Sequence, residues 1–284
     1  MEYSVPVLSI AFMTIVALTG IAIPIVLFII FRKKYRADIM PFFVGCAVFI
    51  VFALLIERLI NSLIFSSSVG KAIQSNIWFY GIFGGLMAGL FEETGRFTVF
   101  KTVLKKNCLN DKNALMYGAG HGGMEAFYIL VFSMASNIVM SVMLNAGMAD
   151  KLTAGVTDEA KLQTLYTIFA ALAGTAPMTF LMSVVERIAA VALHISLSVL
   201  VWFAAKNGGK CFWFYPLALL LHAAVNSVAV ILSRYVPSMW IIFAVIYVLS
   251  ACCVVIAIKV WKKYSSKSSI NVKTSTDKVV EALK

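Results

Sequence analysis

The sequence predicts an all-α fold, a polytopic bundle of about seven transmembrane helices with the N-terminus outside and the C-terminus in the cytoplasm. Three observations lead there. Of the 284 residues, 61% are hydrophobic and only 13% charged, about half the charged share of an average soluble domain. The mean hydropathy is +0.92. Apolar stretches of the roughly 20 residues that carry a helix across a bilayer follow one another almost end to end. These numbers argue against a soluble enzyme, a secreted disulfide scaffold and a nucleic-acid binder.

The spans follow from hydropathy and punctuation. The first, 6–31, is an uncharged apolar run ending at Arg32, Lys33 and Lys34. Because Met1-Glu2-Tyr3 offers no basic leader region, this helix is expected to be retained. The second, 39–61, follows Arg36 and carries Glu57 and Arg58 near its outer end, where long side chains reach the interface in a structural role. The third, 77–104, starts behind Ser75-Asn76 and ends among Lys101, Lys105 and Lys106. The fourth, 114–144, follows Lys112. Residues 162–173 are apolar but short and precede Pro177, so they are read as an interfacial or re-entrant piece. The fifth span covers 174–206, the sixth 212–234 and the seventh 238–261. Residues 1–263 thus form a single integral membrane domain with a motif-bearing core at 77–234, and 264–284, rich in Ser, Lys and Thr, form a polar cytoplasmic tail.

The excess of 24 Lys+Arg over 13 Asp+Glu has a topological explanation. With the N-terminus outside, the cytoplasmic segments hold the Arg32–Arg36 cluster, Lys101, Lys105, Lys106, Lys112, Lys206, Lys210 and every Lys from Lys259 onward, whereas the outer segments hold only Lys71, Lys151, Lys161 and Arg234. Basic residues favour the cytoplasmic side in this way because orientation during insertion is set by Lys and Arg. A multi-pass protein of the cell membrane is expected, with the lipid bilayer as its surroundings and no nucleic-acid partner. The five cysteines show no spacing pattern, so neither disulfides nor a cysteine metal site is expected.

Ionisable groups inside a span cost several kcal/mol each and are functional candidates by default. Here Glu57, Glu92, Glu93, Glu125, Glu186, Arg58, Arg96, Arg187 and all three histidines fall within spans. Their spacing groups them. Glu92 and Glu93 stand four and three residues before Arg96, so either acid can neighbour the guanidinium. His121 and Glu125 are one turn apart, as are His222 and Asn226, and Arg187, with Glu186 beside it, is two turns from His194. Glu92, Glu125, His194 and His222 all fall roughly 15–18 Å from the cytoplasmic end of their spans, at about 1.5 Å per residue. One buried site drawing on four helices is expected. Gly81, Gly85 and Gly89 form a small-xxx-small face, and Gly118, Gly120, Gly122 and Gly123 surround His121, so backbones can approach closely there. No strand precedes this glycine cluster, which excludes a dinucleotide fingerprint.

Amide hydrolysis needs a base, an oxyanion donor and an acid for the leaving group within hydrogen-bond reach. Carboxylates, His and Asn at one depth supply all three. Zinc is chemically compatible with Glu125, His194 and His222, but the chain lacks His-Glu-x-x-His, so the cofactor is either none or zinc. A proton- or ion-coupled transporter would also use buried charges, and a silent scaffold could keep them for stability.

The ordered set Glu92-Glu93-x-x-Arg96, His121-Gly-Gly-x-Glu125, Glu186-Arg187 through His194, and His222-x-x-x-Asn226, over about 77–234, resembles the superfamily of CAAX proteases and bacteriocin-processing enzymes, and within it the YhfC branch. The resemblance implies an intramembrane endopeptidase that hydrolyses a membrane peptide or protein with a Glu-activated water. By position it implies Glu92 or Glu93 as base, His121, Glu125 and His194 as further members of the site, His222 and Asn226 as oxyanion stabilisers, and Arg96, Glu186 and Arg187 in support. Two departures leave the base and the metal requirement open: Arg96 follows the acid pair after two residues rather than three, and Glu125 stands where CAAX-type members have His.

Overall fold

The computed structural model describes residues 3–282, with side chains described for residues 3–265. Among the described residues the chain is all-helical, without strands. The long helices are α1 (Val7–Lys33), α2 (Met40–Phe65), α4 (Ile77–Lys101), α5 (Lys112–Asn145), α8 (Pro177–Asn207), α9 (Phe214–Tyr235) and α10 (Met239–Ala282). Shorter helices α3 (Ser68–Gln74), α6 (Ala149–Thr153) and α7 (Glu159–Gly174) lie between them. From residue 266 on, the expected polar tail lies outside the described side chains.

Among the described residues, six helices are long and apolar enough to cross a membrane: α1, α2, α5, α8, the stretch Gly209–Tyr235 containing α9, and Met239–Ser265 of α10. The protein is integral to a membrane. Helix α4, where a further span is expected, has 25 residues, about 37 Å of helix, and is set apart by its buried Glu92, Glu93 and Arg96. Leu8, Ile15, Leu18 and Ile25 on α1 and Trp240, Ile241 and Val248 on α10 are exposed, as lipid-facing side chains are. In water such surface would be an aggregation liability.

Local sequence explains the helix ends. Asn76 caps α4 by accepting hydrogen bonds from the amides of Trp78 and Phe79, and Asp158 caps α7 through Ala160 and Lys161. The Thr175-Ala176-Pro177 step separates α7 from α8, as expected before proline. Two long helices are irregular: α2 has a π-helical stretch at Phe49–Glu57 and α5 a shorter one at Tyr128–Phe132. Such stretches widen the turn and rotate everything beyond them about the helix axis.

The chain divides into two compact units, Met1–Val26 with Glu125–Ile188, and Leu27–Met124 with Ala189–Lys284. In the first, Met13 and Val16 of α1 pack with Leu130, Met134 and Leu144 of α5 and with Phe169 and Leu172 of α7. Its N-terminal strap is held by Asn145, which accepts from the Val5 amide at 2.7 Å and donates to the Val5 carbonyl at 2.9 Å. The second unit is built around α8, buried almost without a break from Leu193 to Ala205. A helix apolar on all sides belongs in a core. Trp202 packs edge-on against Phe100, and its indole donates to Asp111, which also takes the Lys206 ammonium at 2.6 Å.

Close backbone approach positions the larger unit's polar groups. The Gly81–Gly85–Gly89 face of α4 lies on α9: a Cβ on Gly85 would meet Ser227 Oγ at 2.2 Å and the Ala223 carbonyl at 2.4 Å. On α5, a Cβ on Gly118 would come within 2.6 Å of Ile195 Cα on α8. Only glycine allows these contacts, and they bring α4 to α9 and α5 to α8.

Candidate metal centre

Four helices of the larger unit contribute to one buried polar cluster. Glu92, Glu93 and Arg96 come from α4, His121 from α5, His194 from α8 and His222 from α9, and all six are buried. The rings of His121 and His194 are 4.9 Å apart, and those of His194 and His222 5.1 Å.

Each contact fixes what its partner can do. Glu93 is fully engaged: Oε2 accepts from the Arg96 guanidinium, and Oε1 lies 2.9 Å from Nδ1 of His222. A carboxylate only accepts, so His222 Nδ1 carries the proton and the Nε2 lone pair is left for other chemistry. Glu92 Oε2 accepts from His121 Nε2 at 2.7 Å and lies 3.9 Å from His194 Nδ1. That same His194 nitrogen is 3.3 Å from Arg96 Nη2. Guanidinium only donates, so His194 Nδ1 presents a lone pair. Arg96 also lies over the ring of buried Tyr117, 5.8 Å from its centroid.

Glu92, His194 and His222 are suited to hold a metal ion. One ligand atom from each lies within 4.8 Å of the other two, and all three residues are buried. A carboxylate with two imidazoles is one of the ligand sets catalytic zinc uses, with a fourth position kept for water. The contact of Glu93 with His222 Nδ1 is the carboxylate–imidazole arrangement that orients a metal-binding histidine. The donor set therefore fits a divalent ion.

The structure distributes the other candidates differently. Glu125 belongs to the smaller unit, where Oε1 accepts from Arg187 at 2.7 Å; Arg187 also forms a forked pair with Glu186. Of the ligands expected at Glu125, His194 and His222, the two histidines come together with Glu92 instead. The reason is charge: within an apolar span Glu125 takes a permanent cation, Arg187, whereas Glu92 meets imidazoles because Arg96 is engaged by Glu93. Asn226 lies one turn beyond His222 and is half-buried. Glu57, read from sequence as a structural residue near the outer end of its span, is half-buried and accepts from Asn61 Nδ2 at 3.2 Å. The π-helical stretch before it changes the face it occupies, and no periodicity in the sequence announces that change.

Membrane-crossing helices around buried carboxylates and imidazoles define a polytopic membrane protein with the donors of a metal centre. The model of a family described as "YhfC intramembrane metalloprotease" matches residues 19–247. The chain belongs to that family. It is 35% identical over 260 residues to "Uncharacterized membrane protein YhfC" of Bacillus subtilis (strain 168), covering 89% of this chain and 98% of the relative. No solved structure matches the chain.

Proposed function

We propose that this protein is a metal-dependent intramembrane endopeptidase that hydrolyses a peptide bond of a membrane-associated substrate. The observation that carries this reading is the convergence of Glu92, His194 and His222, with Glu93 behind His222. The family's name points the same way. In this reading α4 is the seventh span, the N-terminus is outside, and the protein resides in the cell membrane.

Glu92, His194 and His222 would hold the ion, zinc being the natural choice for this donor set. When bound, it would supply Lewis-acid polarisation of the scissile carbonyl and a more acidic water. The chain does the rest. Glu93 holds His222 in one tautomer, and Arg96 neutralises Glu93, so that Glu92 remains the carboxylate facing the imidazoles. His121 fixes the Glu92 carboxylate through its Nε2. Asn226, one turn from His222, offers an amide donor to the oxyanion of the tetrahedral intermediate. A substrate helix must unwind locally before its backbone can reach such a site, since a helical segment has its carbonyls and amides already paired.

The test is elemental analysis of the detergent-purified protein together with cleavage of a quenched membrane-peptide library, with and without chelator. About one zinc per chain, lost in Glu92→Gln and His222→Ala along with chelator-sensitive cleavage, is the expected result. Cleavage that survives chelation and metal loss would overturn the metal-dependent reading in favour of a glutamate-only hydrolase. Metal binding without cleavage of any peptide, combined with gradient-dependent uptake in vesicles, would move the function to transport.

A further inference from the structure

Away from the polar centre, the larger unit holds a groove of about 270 Å³ between α5, α8 and α10. Its floor is α8, through Ile195 and the buried Ser196 and Val199, and it begins one residue beyond His194. Leu115 of α5 stands on one side, and Val254 and Ala257 of α10 on the other. Ile258 at the rim is exposed, so the groove opens outward from the bundle. Trp261 and Lys262 stand at one end. From Val254 to Lys262 the helix rises about 12 Å, against roughly 15 Å of hydrocarbon in one leaflet.

The two ends of the groove differ in chemistry. Away from Trp261 and Lys262, Ser196 is the one polar residue of the lining, and its hydroxyl donates to the Ala192 carbonyl at 2.7 Å. A peptide laid there would bring amides and carbonyls that need partners, whereas a hydrocarbon chain needs none. At the other end, Trp261 packs edge-on against Phe203 at 6.0 Å, and tryptophan favours the headgroup level of a bilayer. Lys262 is exposed on α10, and exposed Lys112 stands three residues before Leu115, on the same face of α5, so each side of the groove ends in a lysine. Acids do not offset these charges locally in the sequence. The chain has no Asp or Glu between Glu186 and Asp277, and Asp111, beside Lys112, is committed to Lys206 and to the Trp202 indole.

From this apolar channel ending in cationic side chains, we infer that the groove binds one acyl chain of an anionic phospholipid, whose phosphate is held by Lys112 and Lys262. The chain lies along Ile195 and Val199, bridging α5 and α10 over the helix that carries His194. The inference stands on the groove and its lysines and does not depend on the peptidase reading.

The experiment titrates the full chain in detergent with phosphatidylglycerol or with phosphatidylcholine of the same acyl chains, read as bound lipid by native mass spectrometry. A phosphatidylglycerol with a photoactivatable acyl chain then locates the site by peptide mapping. Each lysine near a headgroup is worth about 5-fold in affinity, so phosphatidylglycerol should bind about 25-fold more tightly than phosphatidylcholine. The double variant Lys112→Gln/Lys262→Gln should remove that preference while leaving phosphatidylcholine binding and the Tm unchanged. Val254→Trp, which fills the groove, should abolish labelling of α8 and α10 at an unchanged Tm. Equal binding of the two lipids, labelling confined to other helices, or a preference that survives in the double variant at unchanged Tm would each overturn the inference. A membrane peptide that displaces the photoactivatable lipid from these residues would make the groove a peptide-docking face and overturn it as well.

Discussion

Two clusters of charge sit within the apolar helices of this protein, and they contain much the same ions. In the smaller unit, Arg187 faces Glu125 and Glu186; in the larger, Arg96 faces Glu93 with Glu92 beside it. The difference is the histidines. The smaller unit contains none, while the larger adds three, and His222, with its Nδ1 turned to Glu93, keeps its Nε2 lone pair. A guanidinium between two carboxylates settles its charges and offers a substrate or cation little. Carboxylates among imidazoles keep coordinating electrons available. Buried charge in a membrane helix therefore marks a place to look, and the mixture of donors decides whether it is a centre or a clasp.

The sharpest way to break this comparison is to exchange one ligand. Glu92→Gln and His222→Ala should each lower cleavage by at least about 10³-fold, because removing one of three ligands from a catalytic site removes the ion as well. Zinc retained in both variants would show that the larger cluster, too, is only a clasp. Glu93→Gln tests the layer behind the ligand. It should weaken zinc affinity by about 10–100-fold, the usual cost of losing a carboxylate that orients a metal-binding histidine, measured by competition with a chromophoric chelator.

The smaller cluster should respond in stability and not in metal. Arg187→Ala leaves two carboxylates without their cation, which costs about 3 kcal/mol when a buried pair is broken, read as a Tm lower by roughly 6–12 °C at unchanged zinc content. Zinc loss at unchanged Tm would reverse the assignment of the two clusters. Glu186→Gln, at the more exposed arm of the pair, should cost only about 1 kcal/mol or less. A larger fall would mean that Glu186, rather than Glu125, is the principal partner of Arg187.

Particular residues show how far the sequence could be read. Each of the six apolar helices follows from hydropathy because a bilayer requires a run of known length. The glycine face of α4 was legible too, since Gly81, Gly85 and Gly89 leave a groove that only a neighbouring backbone fills, and α9 fills it. The charged residues could be named from their cost in lipid. Their pairing could not: one-turn spacing put Glu125 beside His121 and gave no sign that its carboxylate would go to Arg187, sixty-two positions away. Glu57 was assigned a structural role from its place near the outer end of its span, and nothing in the sequence announces the π-helical stretch Phe49–Glu57 that ends at it.

By itself the sequence determined what each residue is and which runs are long and apolar enough to cross a membrane, because hydrophobic run length depends only on local chemistry and the bilayer. Tertiary structure alone decided which donors meet. Glu92, His194 and His222 come from three helices separated by as many as 130 positions, and their convergence depends on helix rotation and on glycine contacts that bring backbones together. Those are set by packing between helices, where a turn of the helix axis moves a carboxylate from an arginine to an imidazole without changing its depth.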